Sequence, residues 1–251
     1  TGFKCVDSPC RLQKNILKFL ILGDWGAETT SKSRVDLQRK VAEALGHVAD
    51  EQNTDFQLSV GDNFYPRGVT NATSDIFKLT FEDVYNQSTL KNTPWYIIAG
   101  NHDYYAIGTV DPQIDYSWIS DRCFFGQQPS RYKITFHRIF PDIFYKLSYI
   151  LNDGTTLDII MIDTYYIITK FVYGVDTTDD VRADYLFVAG HHPMYSIGSH
   201  GSVEYLIENL KPLFEEYNVT AYLSGHEHNL QHDGATIHKP KTNSALKVCL
   251  S

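Results

Sequence analysis

Short apolar runs that end in a glycine and are followed at once by polar side chains recur along the chain. Each run has the length of a β-strand, and the residues after its glycine carry carboxylate, amide, phenol or imidazole groups. In open α/β sheets, ligands bind at the carboxyl ends of the strands. The pattern therefore predicts buried strands whose polar ends form a site at one edge of a sheet. The five runs occupy residues 19–24, 58–65, 95–103, 186–192 and 221–228.

The segments around these runs alternate between strand and helix patterns. Apolar residues at helical spacing predict three helices, at residues 34–50, 74–90 and 202–217. Strands are predicted at residues 16–22, 55–60, 95–99, 185–189 and 219–223. Strands that alternate with helices indicate an α/β domain with the sheet inside and the helices outside.

The middle of the chain departs from this alternation. Two apolar-rich runs, residues 143–150 and 157–162, flank Asn152-Asp153-Gly154 and predict a β-hairpin. We expect residues 104–130 to be rich in loops. Residues 165–184 contain no convincing helix pattern.

No internal repeat, low-complexity tract or linker divides the 251 residues, so a single domain is expected. Residues 1–14 are interpreted as a polar N-terminal tail, 15–230 as the core and 231–251 as an atypical C-terminal segment. The chain begins at Thr1 rather than Met, which leads us to expect a leader that was removed or omitted.

Charge narrows the classes of partner. The formal net charge of −8 argues against non-specific binding of nucleic acid or of an anionic membrane as the main role. No stretch approaches the roughly 20 apolar residues of a membrane span. A phosphate substrate remains compatible with this charge, because bound cations would set the local field in a site.

Cysteines and glycosylation sequons bear on the compartment. Four cysteines permit three full pairings, and the sequence does not choose among Cys5, Cys10, Cys123 and Cys249. Three Asn-x-Ser/Thr sequons begin at Asn71, Asn86 and Asn218. Together they favour the secretory pathway, and a cytosolic chain with free thiols remains the alternative.

The polar groups at the strand ends are of the kinds that bind metals. Oxygen and nitrogen donors without sulfur suit iron, zinc or manganese rather than a closed structural zinc site. Each group alone has an ordinary explanation as a helix cap, a turn or a packing residue. Their shared position after a strand and a glycine favours a two-metal centre with Asp62 in the middle. The candidate ligands are Asp24, Asp62, Tyr65, Asn101, His191, His226 and His228.

The motifs that hold these residues resemble, in order and strand context, those of the calcineurin-like metallophosphoesterases. The position of Tyr65 narrows the resemblance to the purple acid phosphatases. The sequence is most similar to those of the small tartrate-resistant acid phosphatases, over roughly residues 17–231. The motifs are Gly23-Asp24, Gly61-Asp62-x-x-Tyr65, Gly100-Asn101-His102-Asp103, Gly190-His191-x-Pro193 and Gly225-His226-x-His228.

The resemblance implies a four-layer α-β-β-α sandwich of two mixed sheets, and an acid phosphatase that hydrolyses phosphate monoesters with metal-bound hydroxide as nucleophile. A ferric ion would be held by Asp24, Tyr65 and His228, with Asp62 bridging. The second ion, iron or alternatively zinc or manganese, would be held by Asn101, His191 and His226. It also implies that His102 and His200 contact the phosphate or assist the leaving group.

Three features depart from that family. His192 stands where the small enzymes usually have tyrosine, residues 165–184 are shorter than the family's segment, and only 22 residues follow Asn229. The last strands of the second sheet are therefore expected to be missing, which would leave a sheet edge uncovered.

Two rival functions remain. One is a truncated, non-catalytic secreted glycoprotein, and the other is a phosphodiesterase or protein phosphatase of the wider superfamily. The favoured interpretation is a monomeric, secreted or lysosomal enzyme that acts on small phosphate monoesters or phosphoproteins.

Overall fold

The computed structural model describes residues 9–119, 138–170, 183–231 and 247–250. The strands in these ranges are β1 (Cys10–Arg11), β2 (Lys18–Leu22), β3 (Phe56–Val60), β4 (Trp95–Ile98), β5 (Arg138–Ile139), β6 (Phe144–Ile150), β7 (Thr156–Ile162), β8 (Tyr185–Ala189), β9 (Ala221–Leu223) and β10 (Lys247–Leu250). The helices are α1 (Lys32–Gln52), α2 (Ser88–Asn92), α3 (Asn101–Tyr104), α4 (Asp111–Ile119), α5 (Thr164–Lys170) and α6 (Glu204–Glu216), and one π-helical turn covers Lys78–Glu82.

The strands form two five-stranded sheets. The first has the order β10-β2-β3-β4-β5 and is parallel at every pairing. The second has the order β1-β6-β7-β8-β9 and is mixed, because the β6–β7 hairpin is antiparallel. Every residue of β3 is buried, as expected of a central strand in a sheet that is covered on both faces.

Three layers of apolar packing separate the sheets and helices. Between the sheets, Phe56 of β3 stacks on Phe19 of β2 at 4.8 Å and on Tyr149 of β6 at 5.4 Å. The outer face of the first sheet packs against α1 and its neighbours. Leu206 and Leu210 of α6 pack on the outer face of the second sheet. The predicted four-layer α-β-β-α sandwich is confirmed, although among the described strands only the second sheet is mixed and the first is parallel.

One predicted helix is wrong. Residues 74–90 form a π-helical turn and the short helix α2 instead of a continuous helix. The break lies at Gln87, whose φ of −58° and ψ of 152° are not helical. Two residues later, the Thr89 N–H donates to the side chain of Asp50 on α1 at 3.1 Å. A tertiary hydrogen bond thus replaces the helical one.

Besides the single turn α3, two longer helices were not predicted. Helix α4 lies in the region expected to be loop-rich, and α5 begins the segment in which no helix was expected. Asp163 immediately precedes α5, and its carboxylate accepts the Tyr166 N–H at 2.8 Å. This is an N-cap contact, and Asp followed by Thr is the sequence signal that could have identified the helix start.

The chain ends also differ from expectation. Part of the predicted N-terminal tail is strand β1, because Cys10 and Leu12 are buried and the Leu12 N–H donates to Ile150 at 2.8 Å. Cys10 is disulfide-bonded. In the C-terminal segment, β10 pairs in parallel with β2 and extends the first sheet. Strand β9 stands at the edge of the second sheet among the described residues. Among the residues that the structure describes, no helix is both long and apolar enough to cross a membrane.

Candidate metal centre

Five strands, three from the first sheet and two from the second, end beside one another. Asp24 follows β2, Asp62 and Tyr65 follow β3, and Asn101 begins α3 directly after β4. On the second sheet, His191 follows β8, and His226 and His228 follow β9. The structure brings all seven predicted ligands together where these five strands end.

The first group of donors surrounds the Tyr65 hydroxyl. This oxygen lies 3.0 Å from Asp62 Oδ2, 3.3 Å from Asp24 Oδ1 and 3.3 Å from His228 Nε2. His228 Nε2 is in turn 3.4 Å from Asp24 Oδ1. Two carboxylates, a phenol and an imidazole therefore converge on one small volume.

The second group surrounds His191 Nε2. This nitrogen lies 3.2 Å from Asn101 Oδ1, 3.2 Å from His226 Nδ1 and 3.5 Å from Asp62 Oδ2. Asp62 Oδ2 thus faces both groups of donors. One carboxylate stands where an oxygen-rich half and a nitrogen-rich half of the site meet.

These spacings fit metal ions. Oxygen and nitrogen ligands lie about 2.1 Å from a bound transition metal, so two ligands at right angles are about 3 Å apart. The donors around Tyr65 and around His191 are separated by 3.0–3.5 Å. The donor set, with carboxylate, phenol, amide and imidazole but no thiolate, suits iron, zinc or manganese.

Hydrogen bonds leave one atom of each of three candidate ligands directed at the site. His191 Nδ1 lies 2.9 Å from the Val60 carbonyl, so the proton on Nδ1 donates there and Nε2 is left to bind. Asp62 Oδ1 accepts the His102 N–H at 2.8 Å, which leaves Oδ2. Asp24 Oδ2 accepts the His226 N–H at 2.9 Å, which leaves Oδ1. The ligand atoms are oriented by the protein itself.

The backbone of the site is strained where the ligands project. Asp24, Asp62 and His226 have φ values of 56°, 52° and 71°, in the left-handed region that side chains other than glycine rarely adopt. Gly61 has φ 96°, and a Cβ there would lie 2.7 Å from both Gly100 N and His191 Nδ1. Only glycine permits this approach of the two strand ends.

Burial disfavours the ionised forms of the acidic side chains of the site when no cation is bound. Burial raises the pKa of Asp24. Burial opposes ionisation of Asp62 as well, but the hydrogen bond and charge of His191 lower the pKa of Asp62 to about 2. Burial together with the charges of Asp62 and Asp24 raises the pKa of Tyr65. A phenolate at Tyr65 therefore needs a compensating cation, which a bound metal would supply.

A buried network beneath the site was missed by the sequence analysis. The Asp103 carboxylate accepts the backbone N–H groups of Asn63 and Gly100 at 3.1 and 2.9 Å, and the amide of Gln113 at 2.8 Å. It thereby ties the loop after β3 to the loop after β4. Burial and the Asp62 charge raise the pKa of Asp103 to about 6. Asp103 is the last residue of the Gly-Asn-His-Asp motif, so the motif itself marked this residue, but no role was predicted for it.

The two histidines expected near phosphate lie on the open side of the donors. His102 Nδ1 is 2.7 Å from the Pro66 carbonyl, and its Nε2 is 4.0 Å from Asp62 Oδ2. Its ring lies 4.3 Å from that of Tyr65. The half-exposed ring of His200 lies 4.4 Å from the ring of His226.

His192, which departs from the resembled family, lies beside the candidate ligands His191 and His226. It is buried, its Nδ1 is 3.0 Å from Thr164 Oγ1, and its carbonyl accepts the Tyr222 hydroxyl at 2.6 Å. Its ring lies 4.5 Å from that of His226. Burial, with the nearby imidazoles of His191 and His226, lowers the pKa of His192 to about 2. The ligand atoms of His191, His192 and His226 all lie within 4.8 Å of one another, so His192 is close enough to bind an ion together with the other two imidazoles.

Comparisons with known proteins agree with this geometry. The sequence pattern of the calcineurin-like phosphoesterase family matches residues 17–230, and the chain belongs to this family. Tartrate-resistant acid phosphatase type 5 of Rattus norvegicus is 35% identical over 245 residues, covering 89% of this chain and 70% of that protein. The type 5 enzyme of Homo sapiens is 34% identical over 238 residues, covering 86% and 68%.

More distant similarities extend to plants and to a solved structure. Purple acid phosphatase 7 of Arabidopsis thaliana is 31% identical over 230 residues, covering 87% of this chain and 66% of that protein. A solved structure described as GAP50, the anchor in the inner membrane complex of Plasmodium, superposes with a TM-score of 0.63. It is 22% identical and covers 84% of this chain and 66% of that one, which supports the fold alone.

Proposed function

We propose that the chain is an acid phosphatase that hydrolyses phosphate monoesters at a dinuclear iron centre. One observation supports this most directly. Asp62 Oδ2 lies 3.0 Å from the Tyr65 hydroxyl and 3.5 Å from His191 Nε2, so a single carboxylate oxygen serves both halves of the site. The phenol in one half is the feature that favours a purple acid phosphatase within the phosphoesterase family.

The residues would divide the work between two ions. Asp24, Tyr65 and His228 would hold a ferric ion, and Asn101, His191 and His226 a second ion, for which iron is preferred over zinc or manganese. Asp62 would bridge them. When bound, such ions polarise the phosphate ester and activate water at low pH.

The remaining steps are assigned to the chain's own residues. The Pro66 carbonyl fixes the His102 ring so that Nε2 faces the site, where it is proposed to contact a phosphate oxygen. His200 lies beside His226 on the same open side and is proposed to protonate the departing alcohol. Both side chains are partly exposed, so a substrate can reach them.

The decisive experiment is metal analysis combined with a phosphatase assay of the purified chain and of Asp62→Asn. We expect two metals per wild-type chain and turnover of a monoester that is fastest at acidic pH. Asp62→Asn should lower kcat at least 100-fold, because the bridging charge is lost. Asp83→Asn alters an exposed aspartate outside the donor set, so it is the matched control and should retain activity.

The rivals predict other results. A non-catalytic glycoprotein would bind metals without turnover, or bind none. A phosphodiesterase would prefer a diester to a monoester of the same alcohol. Either result would refute the proposal.

We also propose that the chain is secreted or lysosomal and monomeric. The three sequon asparagines, Asn71, Asn86 and Asn218, are all exposed, and Cys10 is disulfide-bonded. Expression in a eukaryotic secretory host followed by N-glycan removal should lower the mass in steps that disappear in Asn→Gln variants. Light scattering should give the monomer mass.

A further inference from the structure

A loop that carries His200 is docked onto the segment that carries the last metal-ligand candidates. We define the His200 loop as residues 196–201 and the docking segment as residues 227–231. At one end of the contact, the Ile197 N–H donates to Gln231 Oε1 at 3.1 Å, and Gln231 Nε2 donates to Ser196 Oγ at 3.1 Å. The His200 loop is therefore held by side chains of the docking segment.

Glu227 holds the other end of the His200 loop. Its Oε1 accepts the backbone N–H groups of His200 and Gly201 at 2.7 and 3.1 Å. The Nδ1 of the His200 imidazole lies 3.4 Å from the same oxygen. The backbone and the side chain of His200 thus share one carboxylate partner.

The second oxygen of Glu227 is enclosed by the loop it holds. A Cβ at residue 198 would overlap Glu227 Oε2, so Gly198 allows the backbone to lie directly on the carboxylate. The Glu227 side chain is 6% exposed, whereas that of His200 is 51% exposed. A buried carboxylate that faces a half-exposed imidazole orients that imidazole and leaves the other ring nitrogen free.

We propose that Glu227 is a positioning residue for phosphate-ester hydrolysis: its carboxylate docks the His200 loop and orients the His200 imidazole toward the substrate side of the metal centre. The inference rests on the proposed function, because it concerns how His200 is presented to the ester. Glu227 stands between His226 and His228, so this contact ties the orientation of His200 to the position of both neighbouring ligand candidates.

A double-mutant cycle tests whether Glu227 acts through His200. It compares the kinetics of wild type, Glu227→Ala, His200→Ala and the double variant. We expect Glu227→Ala to lower kcat about 10- to 100-fold, approaching the loss in His200→Ala, with less than a threefold change in KM. The loss should be greater for an alkyl phosphate than for 4-nitrophenyl phosphate, whose leaving group needs no proton. In the His200→Ala background, Glu227→Ala should add less than twofold.

Two further variants separate docking from charge. Glu227→Gln keeps an acceptor oxygen for both backbone N–H groups, and we expect it to recover most of the activity lost in Glu227→Ala. Gly198→Ala does not alter Glu227 or His200 themselves, but its new methyl group would push the Glu227 carboxylate aside. It should therefore lower kcat, as Glu227→Ala does. Glu208→Ala, at an exposed carboxylate of α6, is the control and should be unchanged.

A readout that does not require turnover distinguishes failure of this inference from failure of the proposed function. Amide hydrogen exchange in a peptide that covers residues 196–202 should be at least tenfold faster in Glu227→Ala than in wild type, and close to wild type in Glu227→Gln. An inactive wild-type chain with this exchange pattern would refute the phosphatase function and retain the docking. Unchanged exchange, additive kinetic losses, or loss of bound metal in Glu227→Ala would each overturn the positioning role.

Discussion

The Tyr65 hydroxyl lies 3.0 Å from Asp62 Oδ2, although the two residues are only three positions apart in the loop after β3. That loop is fixed from below, because Asp103 accepts the backbone N–H groups of Asn63 and Phe64 at 3.1 and 3.2 Å. Asp62 itself has a left-handed backbone. The loop therefore holds a carboxylate and a phenol side by side as a single rigid unit, which is the basis of the first prediction.

Tyr65→Phe should remove colour while leaving the second half of the site intact. A phenolate bound to ferric iron gives a visible absorption band, and Tyr65 is the phenol among the predicted ligands. We expect wild-type protein to absorb in the visible and Tyr65→Phe to lose that band. Tyr195→Phe, which alters a partly exposed tyrosine outside the donor set, should keep it. A band that persists in Tyr65→Phe would contradict the assignment.

Tyr105→Phe should weaken the second metal position. Asn101 Nδ2 donates to the Tyr105 hydroxyl at 2.7 Å, which turns Asn101 Oδ1 toward His191. Removing the acceptor frees the amide to rotate, and loss of such a supporting contact typically costs 10–100-fold in metal affinity. Competition with a chelator of known affinity measures this, with Tyr195→Phe as the control. Equal affinities in Tyr105→Phe and wild type would refute the role of this contact.

Gly100→Ala should disrupt the centre although it adds a single methyl group. The new Cβ would overlap Asp62 Oδ1 and lie 2.8 Å from His191 Cδ2. Because these neighbours are held by hydrogen bonds, we expect a destabilisation of about 1–3 kcal/mol and loss of metal from the site. Denaturant unfolding and metal analysis measure the two effects. Full metal loading with unchanged stability would show that Asp62 can move aside.

The main strands of both sheets and the meeting of the ligand candidates could be predicted from the sequence because both follow local patterns. An apolar run of strand length identifies a buried strand, and a glycine followed by a ligand marks its carboxyl end. All seven ligand candidates obey that rule and meet in the structure. The hairpin likewise follows from two apolar runs around a turn, in which Gly154 has φ 88°.

What the sequence did not predict depends on partners distant in the chain. The helix expected at 74–90 is interrupted near Thr89, whose N–H donates to the side chain of Asp50, 39 residues earlier in the chain. The supporting roles of Asp103 and Glu227 come from loops that meet only once neighbouring strands of the same sheet have paired. Strand β10 is four residues long and reveals itself only by pairing with β2. Long-range contacts of this kind leave no periodic signal in the sequence.

Asp163 should make folding stability depend on pH between about 4 and 6. It is fully buried before α5. Burial raises its pKa to about 6, although the hydrogen bonds from the Tyr104 hydroxyl and the Tyr166 N–H act in the opposite direction. The folded state therefore binds a proton that the unfolded state releases near pH 4. Stability is greatest below pH 4 on this account and falls as the pH rises to 6.

The size of this effect can be measured by substitution. A pKa difference of one is worth about 1.4 kcal/mol, so ionisation of Asp163 should remove about 3 kcal/mol from the free energy of unfolding. Asp163→Asn cannot ionise and should lose that part of the slope, while the contribution of Asp103, whose pKa is also raised to about 6, remains. Urea unfolding from pH 4 to 7 at fixed metal loading measures the difference. Asp115→Asn, exposed on α4, should follow wild type. Parallel curves for wild type and Asp163→Asn would show that Asp163 is ionised in the folded protein throughout this range.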